Sequence, residues 1–406
     1  MERSILHCDM NNFYASVERI YHPELCGKPI AVCGDESKRC GIVLAKSDEA
    51  KRFGIKTGET VWQAKEKCPD LITIPTHFDR YLTYSAMARE IYCEYTDLVE
   101  PFGMDECWLD VTASRLAFGD GKSIGTELKE KIKRELGLTV SVGVSFNKVF
   151  AKLGSDMKKP DALTYIPSEK FRETVWPLPV EEMLFVGPKS AKILHRFEIH
   201  TIGQLANAND LFLSLQFGKN GEKMKRCAQG LDQSPVLPSN AEPPLKSIGH
   251  GMTTPEDLTN EDQIRVLILA LVQEVGEKLR FYRRFARGIS LECKDRHFFV
   301  KSLQTRLDRP TNCTATLARA AFRLFRERYF FREPLRALSV RAIDLVPMGE
   351  AVQLSMFDDE REWREEALDR VSDQLRKRYG KKILRPASLL SFAEEESDYV
   401  PFAAPR

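Results

Sequence analysis

Met104-Asp105-Glu106-Cys107-Trp108-Leu109-Asp110 puts two adjacent acids at the head of an apolar, strand-like run. A second stretch, Ile5-Leu6-His7-Cys8-Asp9-Met10-Asn11-Asn12-Phe13-Tyr14, closes the first hydrophobic run of the chain on another acid, Asp9. Read alone, Asp105-Glu106 is an ordinary solvated turn. Read with Asp9, it is half of a cluster, and clustered carboxylates repel unless a cation sits between them. Hard divalent cations such as Mg2+ take oxygen ligands and share them with substrate phosphates. Two such ions clamp the attacking and leaving oxygens of a phosphoryl transfer.

Outward from these acids, short strands alternate with helices. Residues 4–10 read as a strand, and Asn12 to Ile20 as the helix that follows. Ile30-Ala31-Val32-Cys33 and Gly41-Ile42-Val43-Leu44-Ala45 read as strands, and Ser47 to Phe53 as a helix stopped by Gly54. Tyr84, Met87, Ala88 and Ile91 recur at helical spacing within Arg80 to Tyr95. Trp108 to Val111 and Thr139 to Ser145 read as strands, the second because Val140, Val142 and Val144 alternate. Acids at strand ends in such a mixture fit an α+β layer with a cleft.

From about residue 167 to 235 the pattern is helical. Leu184-Phe185-Val186-Gly187-Pro188-Lys189-Ser190-Ala191, followed by Ile199-His200-Thr201-Ile202-Gly203-Gln204-Leu205, has the form of a helix-hairpin-helix. In that reading Gly187 allows a tight turn and exposed N–H groups hold a phosphate; an ordinary αα-hairpin is the competing reading. The proline-rich stretch Pro235 to Pro244 reads as a linker. Beyond it, Gly288 to Cys293 and Leu335 to Ile343 read as strands, and Thr314 to Tyr329 as a helix with Arg319, Arg323 and Arg326 on one side. Trp363, Ala367, Val371 and Leu375 recur every four residues, so a charged amphipathic helix runs to Gly380.

Composition narrows the class. At 406 residues the chain is long enough for about two to four domains. Hydrophobic content of 43% supports globular domains. No apolar run of ~18 residues and no signal peptide stand out, so a cytoplasmic protein without a membrane span is expected. Ten cysteines without a C-x-x-C pair argue against zinc and for reduced thiols, mostly core fillers. Net charge is only +2, but Lys278 to Arg341 holds 17 Lys and Arg against 5 Asp and Glu, interleaved with aromatics. That excess suits a surface tracking a phosphate backbone, or a solvated basic face over an aromatic core.

Cys8 to Glu18 and Met104 to Thr112 resemble the two metal-binding motifs of Y-family translesion DNA polymerases. Ser145 to Lys152, then Ser155-Asp156-Met157-Lys158-Lys159-Pro160, resembles that family's third motif, with order and spacing kept. The resemblance runs from about residue 4 to 345 and is nearest to the DinB (DNA polymerase IV) group, with the UmuC group next. It implies an α+β multidomain fold, the right-hand polymerase. The expected palm is 1–20 and 76–166, the small fingers 21–75, and the thumb with its helix-hairpin-helix 167–235. A linker at 236–245, an α/β little finger at 246–347 and a tail at 348–406 follow.

The resemblance also implies a chemistry: attack of a primer 3′-hydroxyl on the α-phosphate of a dNTP, without proofreading and at low fidelity. Asp9, Asp105 and Glu106 would hold two Mg2+ ions with the backbone carbonyl of Met10. Tyr14 matches the steric gate against ribose. Lys51 and Lys159 match cations that meet the triphosphate, although Lys159 reads as readily as part of a solvated Lys-Lys turn. Gly187, Lys189, Arg319 and Arg323 are the expected DNA contacts. Gln353-Leu354-Ser355-Met356-Phe357 matches the pentapeptide that engages the replicative sliding clamp. Primer-template DNA, dNTPs and the clamp are thus the expected partners of a monomer.

Some positions depart from the family pattern. Asn11 stands where many relatives have Asp. Asp48 and Lys51 replace the usual triphosphate-binding Tyr and Arg, and Lys loses the bidentate geometry of Arg; Lys46 or Arg52 can share its role. Two other readings stand beside the polymerase: another two-metal palm enzyme, such as a nucleotidyl cyclase, and a non-catalytic DNA- and clamp-binding protein.

Overall fold

Strand order explains why acids so far apart in sequence meet. The computed structural model describes residues 2–36, 39–241, 244–330, 333–349 and 360–389. These fall into two compact units: residues up to Gly34 with Ile42–Ala241, and the residues beyond Ala241 together with Asp35–Gly41. The first unit contains β1 (Ile5–Met10), β2 (Ile30–Cys33), β3 (Val43–Lys46), β4 (Ile72–Pro75), β5 (Val99–Pro101), β6 (Glu106–Asp110), β7 (Val140–Ser145) and β8 (Leu163–Ile166). One sheet runs β5-β6-β1-β7-β8 and a smaller one β3-β2-β4.

β1 is central, and both of its faces are covered. Leu6, Cys8 and Met10 point into the main core, against Tyr81, Ala88, Ile124, Leu128 and Ile132 of helices Phe78–Cys93 and Gly121–Leu136. The odd residues face helix Lys148–Met157: Ile5 clusters with Ala151, and His7 bonds Ser155. β7 makes that second layer possible. Its valines enter the core, while Ser141, Gly143 and Ser145 form a small-residue face. A Cβ on Gly143 would lie 1.9 Å from the carbonyl oxygen of Ala151 and 2.4 Å from the Ser155 nitrogen. The sequence pattern suggested one buried face on this strand; all six residues are buried. Asn147 starts the covering helix by accepting from the Phe150 N–H at 2.8 Å.

In the smaller sheet, the expected strand at 41–45 lies slightly later, at Val43–Lys46. Ser47 caps the next helix, Asp48–Arg52, and Gly54 leaves it at φ 74°. β4, parallel to β2, was not legible in the periodicity. Helices Pro188–Arg196, Ile202–Ala206, Asp210–Phe217 and Lys219–Ala228 build a separate core shared with Val149, Phe150 and Leu153. Gly187 corrects an expectation. It has an ordinary extended backbone, φ −79°, while the positive φ of 77° in this hairpin belongs to Phe185. Gly187 leaves open space at the helix start rather than a tight turn.

The second unit is an antiparallel sheet, β11-β10-β12-β9, of β9 (Ser247–Leu258), β10 (Arg284–Asp295), β11 (Val300–Thr311) and β12 (Leu335–Pro347). Helices Glu261–Phe281 and Thr314–Arg328 cover one face over a core of Ile289, Leu291, Leu317, Phe325 and Val340. The tail helix, Glu360–Tyr379, docks on this unit through acids rather than through its apolar residues. Buried Arg280 meets Asp373 at 2.5 Å and Asp369 at 3.1 Å, and Asp369 also accepts from the Thr314 N–H. Trp363 and Val371 of the expected stripe stay 53% exposed. Among the described residues no helix is long and apolar enough to cross a membrane. The ten cysteines are free thiols, and seven are buried.

Gly143→Ala should drive helix Lys148–Met157 off β7. We expect a loss of about 3 kcal/mol or more, read by denaturant melts, because backbone atoms rather than a flexible side-chain end meet the added carbon.

Candidate active site

Asp9 and Glu106 are register partners on β1 and β6. Like charges directly opposite on neighbouring strands are destabilising. Asp105 joins them from the bend before β6, fixed by the Met10 N–H donating to its carbonyl at 3.0 Å. Burial, then the charges of Asp9 and Glu106, push the Asp105 carboxyl up to about 7. Burial and Glu106 likewise raise Asp9, although Lys159 and Lys152 oppose the shift.

Two lysines hold this repulsion in check. Lys152, on the helix laid over Gly143, reaches Asp9 at 3.3 Å and Glu106 at 2.7 Å. Lys159 reaches Asp9 at 2.7 Å. Asp156 steadies both, 3.4 Å from Lys152 and 2.9 Å from Lys159. Burial lowers the Lys159 ammonium, but Asp9 and Asp156 outweigh it and raise it to about 12. Lys152 and Asp156 were missed in the sequence; they stand one turn apart on that helix, and Lys159 follows just beyond its end. Asn11 is a support rather than a missing acid. It donates to Ser141 at 2.9 Å and accepts from the Asp161 N–H at 2.8 Å, pinning the turn after Lys159.

His7, also unanticipated, is fully buried, with Nδ1 2.8 Å from the Ser155 hydroxyl and Nε2 3.4 Å from Glu106. Burial, then Lys152, lowers its pKa to about 3, so it stays neutral.

The donor set suits a hard cation. Asp9, Asp105, Glu106 and the Met10 carbonyl offer only oxygen. Glu106 Oε2 is buried and faces the Lys152 ammonium at 2.7 Å. Among the described residues no three acidic, His or Cys side chains close around one point. Lys152, between Asp9 and Glu106, takes up the position a bridging cation would need.

Tyr14 stands beside the acids. It is half-buried in the first turn of helix Phe13–Tyr21, and its hydroxyl donates to Met104 Sδ at 3.3 Å. Burial, then Asp105, raises its phenol.

Comparison with known proteins agrees with this geometry. The impB/mucB/samB family profile matches residues 8–156, and that family's C-terminal domain matches residues 245–356. DNA polymerase IV of Acetivibrio thermocellus is 49% identical over 391 residues, spanning 96% of this chain and 98% of that protein. The chain belongs to the Y family of DNA polymerases. DNA polymerase IV 1 of Bacillus subtilis is 35% identical over 401 residues, spanning 98% of this chain and 96% of its own. A solved Y-family DNA polymerase chimera, Dbh-Dpo4(243-245)-Dbh, matches the fold with a TM-score of 0.76 at 23% identity, over 85% of this chain and 99% of the chimera. The mixed α/β architecture, a five-stranded sheet in the first unit and an antiparallel sheet under two helices in the second, is consistent with the palm and little finger of that family.

The remaining expected contacts divide. Lys51 is on the β2–β4 side, bonded to Asp48 at 3.1 Å. Lys46 is near it: burial, then the charge of Lys51, lowers the Lys46 pKa. Gly187 and Lys189 are exposed at the start of helix Pro188–Arg196. Arg319, half exposed, pairs with Glu365 of the tail helix at 2.9 Å by both guanidinium nitrogens. Arg323 is exposed on the same helix. Both lie on the helical side of the second unit, whereas the opposite sheet face carries a largely polar row interrupted by Ile343. There Ser290 pairs with Gln304 and Arg341, and Gly288 with Arg306, alternating with the core residues Ile289 and Leu291. Gln353, Leu354, Met356 and Phe357 lie outside the described residues.

Asp105→Asn should stabilise the protein without metal. A raised carboxyl penalises the ionised fold: the penalty is absent below the ordinary value of 3.8, grows with pH, and is complete above about 7. Melts in chelator should therefore show a gain of ~1 kcal/mol or more at pH 8, shrinking toward pH 4.

Proposed function

We propose two-metal phosphoryl transfer as the mechanism of this chain, a template-directed translesion DNA polymerase. The observation that carries this reading is the Asp9–Glu106 register with Asp105 at the adjoining bend, three mutually repelling carboxylates beside a half-buried tyrosine. Relatives named DNA polymerase IV, matched over nearly their full length, support the activity. A nucleotidyl cyclase is disfavoured by the match to the family's C-terminal domain.

Asp9, Asp105, Glu106 and the Met10 carbonyl would hold two Mg2+ ions. When bound, these ions supply charge neutralisation at the transferring phosphate and a lowered pKa for the primer hydroxyl. The chain's own residues position and discriminate. Lys152 and Lys159 pair with the acids and would supply positive charge to triphosphate oxygens. Lys51 and Lys46 add positive charge from residues 21–75, which we assign to the fingers. Tyr14 presents its ring where a ribose 2′-hydroxyl would stand. Backbone N–H groups at Gly187, with Lys189, would hold a DNA phosphate from the thumb, residues 167–235. The polar sheet face of the little finger, with Arg306 and Arg341, is the better DNA contact than Arg319 and Arg323.

Primer extension with Mg2+ and four dNTPs tests the assignment. Asp9→Ala, Asp105→Ala and Glu106→Ala should each lose about a thousandfold in rate while DNA binding persists. Wild-type rates in any of the three would overturn it.

The tail carries a second proposal within the same function: Gln353-Leu354-Ser355-Met356-Phe357 docks the polymerase on a sliding clamp, with Leu354, Met356 and Phe357 as apolar anchors. Losing such anchors costs ~2 kcal/mol each, more than tenfold in affinity. Replacing Met356 and Phe357 by Ala should remove clamp-stimulated processivity and spare extension of a short primer. Unchanged clamp affinity with a lower Tm would instead make Phe357 an internal anchor.

A further inference from the structure

Tyr14 is held in place by a second ring. Tyr81 lies parallel to it, ring centroids 4.2 Å apart with 11° between the planes. Tyr81 is fully buried, and its hydroxyl donates to Glu18 Oε1 at 2.7 Å. Glu18 is also fully buried, yet its carboxylate is well supplied with donors. His77 Nδ1 lies 2.9 Å from Oε1, and Arg80 donates to Oε2 at 2.9 Å. Phe78 meets both tyrosines edge-on, at 6.1 and 6.0 Å. On its far side Tyr14 reaches Met104, whose carbonyl accepts from Ser85 at 2.5 Å.

Glu18 and Tyr14 lie one turn apart on helix Phe13–Tyr21, and His77, Arg80 and Tyr81 come from the start of helix Phe78–Cys93. The contacts close a triangle: Tyr14 rests on Tyr81, Tyr81 is tied to Glu18, and Glu18 returns to the helix of Tyr14. A steric filter for sugar must separate a hydrogen from a hydroxyl, a difference of one oxygen atom. Such a filter works only if its wall cannot recede. An aromatic side chain in a first helical turn has free χ angles unless something stops it, and here the stop is a buried ring whose hydroxyl is fixed to a buried carboxylate. Burying that carboxylate is costly unless it is paired and hydrogen-bonded.

We infer that Tyr81, fixed by Glu18, is the backing wall of the sugar filter, and that these two positioning residues set the preference for dNTPs over rNTPs. The inference rests on Tyr14 being the gate. A purely structural role, tying the two helices together, would lower use of both sugars alike.

Single-nucleotide insertion with the full chain separates these cases, using dCTP and CTP opposite a template dG and comparing the two kcat/KM values. Tyr14→Ala, Tyr81→Leu, Tyr81→Phe and Glu18→Gln are measured alongside the parent. Tyr81→Leu should lower discrimination by at least about tenfold, mainly through a lower KM for CTP. Glu18→Gln should lower it less, and Tyr81→Phe, which keeps the ring, least. Should Tyr81→Leu fail to fold, Glu18→Gln and Tyr81→Phe decide, and parental ratios in both overturn the inference. Relaxed discrimination in Tyr14→Ala alone, with parental ratios in every other variant, also overturns it while leaving the gate intact. A parental ratio in Tyr14→Ala overturns the gate itself, and this inference with it.

Discussion

Repulsion among Asp9, Asp105 and Glu106 is the constraint around which the palm is organised. Antiparallel register sets two of the acids face to face, and the bend before β6 adds the third. Such a cluster persists only with cations close by. The chain supplies two, and one of them depends on a glycine. Gly143 lets helix Lys148–Met157 lie directly on the sheet, and that contact brings Lys152 over Asp9. Packing and electrostatics are therefore one design here: widening the gap between β7 and the helix would also withdraw an ammonium from the acids.

The acids were legible in sequence because each motif is local, a hydrophobic strand with carboxylate at one end. Lys152 was not, because its role arises from a helix folded onto a strand whose acid is 143 residues away. The signal that existed was the run Val140-Ser141-Val142-Gly143-Val144-Ser145, whose small face asks for a close neighbour. Tyr81 was similarly hidden: it read as part of a helix, and only the folded structure sets its ring under Tyr14. The tight turn expected at Gly187 is made two residues earlier: the chain spends its positive φ on Phe185 and leaves Gly187 as an unobstructed helix start.

The tail helix shows where periodicity misleads. Trp363, Ala367, Val371 and Leu375 form a stripe, and a stripe is expected to be buried. Here Trp363, Ala367 and Val371 remain exposed, while Glu365, Asp369 and Asp373 meet Arg319 and Arg280. Arg280, its side chain only 10% exposed, accounts for the preference. A buried guanidinium needs acceptors, and it finds Asp373, Asp369 and the Asn312 carbonyl. Losing those partners is more costly than leaving a few apolar side chains in water, because an uncompensated buried charge is strongly destabilising.

The same pairing changes the meaning of the basic segment. The excess of Lys and Arg between Lys278 and Arg341 suggested one phosphate-tracking surface, but the fold distributes those residues over two sides. On the helical side Arg280 and Arg319 are occupied by tail acids, so counting them toward DNA affinity overstates the field there. On the sheet side strand alternation sets Arg306 and Arg341 among Ser290, Gln304, Ser339 and the glycines of β9, with Ile343 lying over Gly288 between the two arginines. Such cations and small polar groups are of the kind that hold phosphate oxygens and fix a protein's register on a duplex. The tail helix thus has a consequence beyond anchoring itself: its acids occupy Arg280 and Arg319 on the helical side, while Arg306 and Arg341 stand on the sheet side.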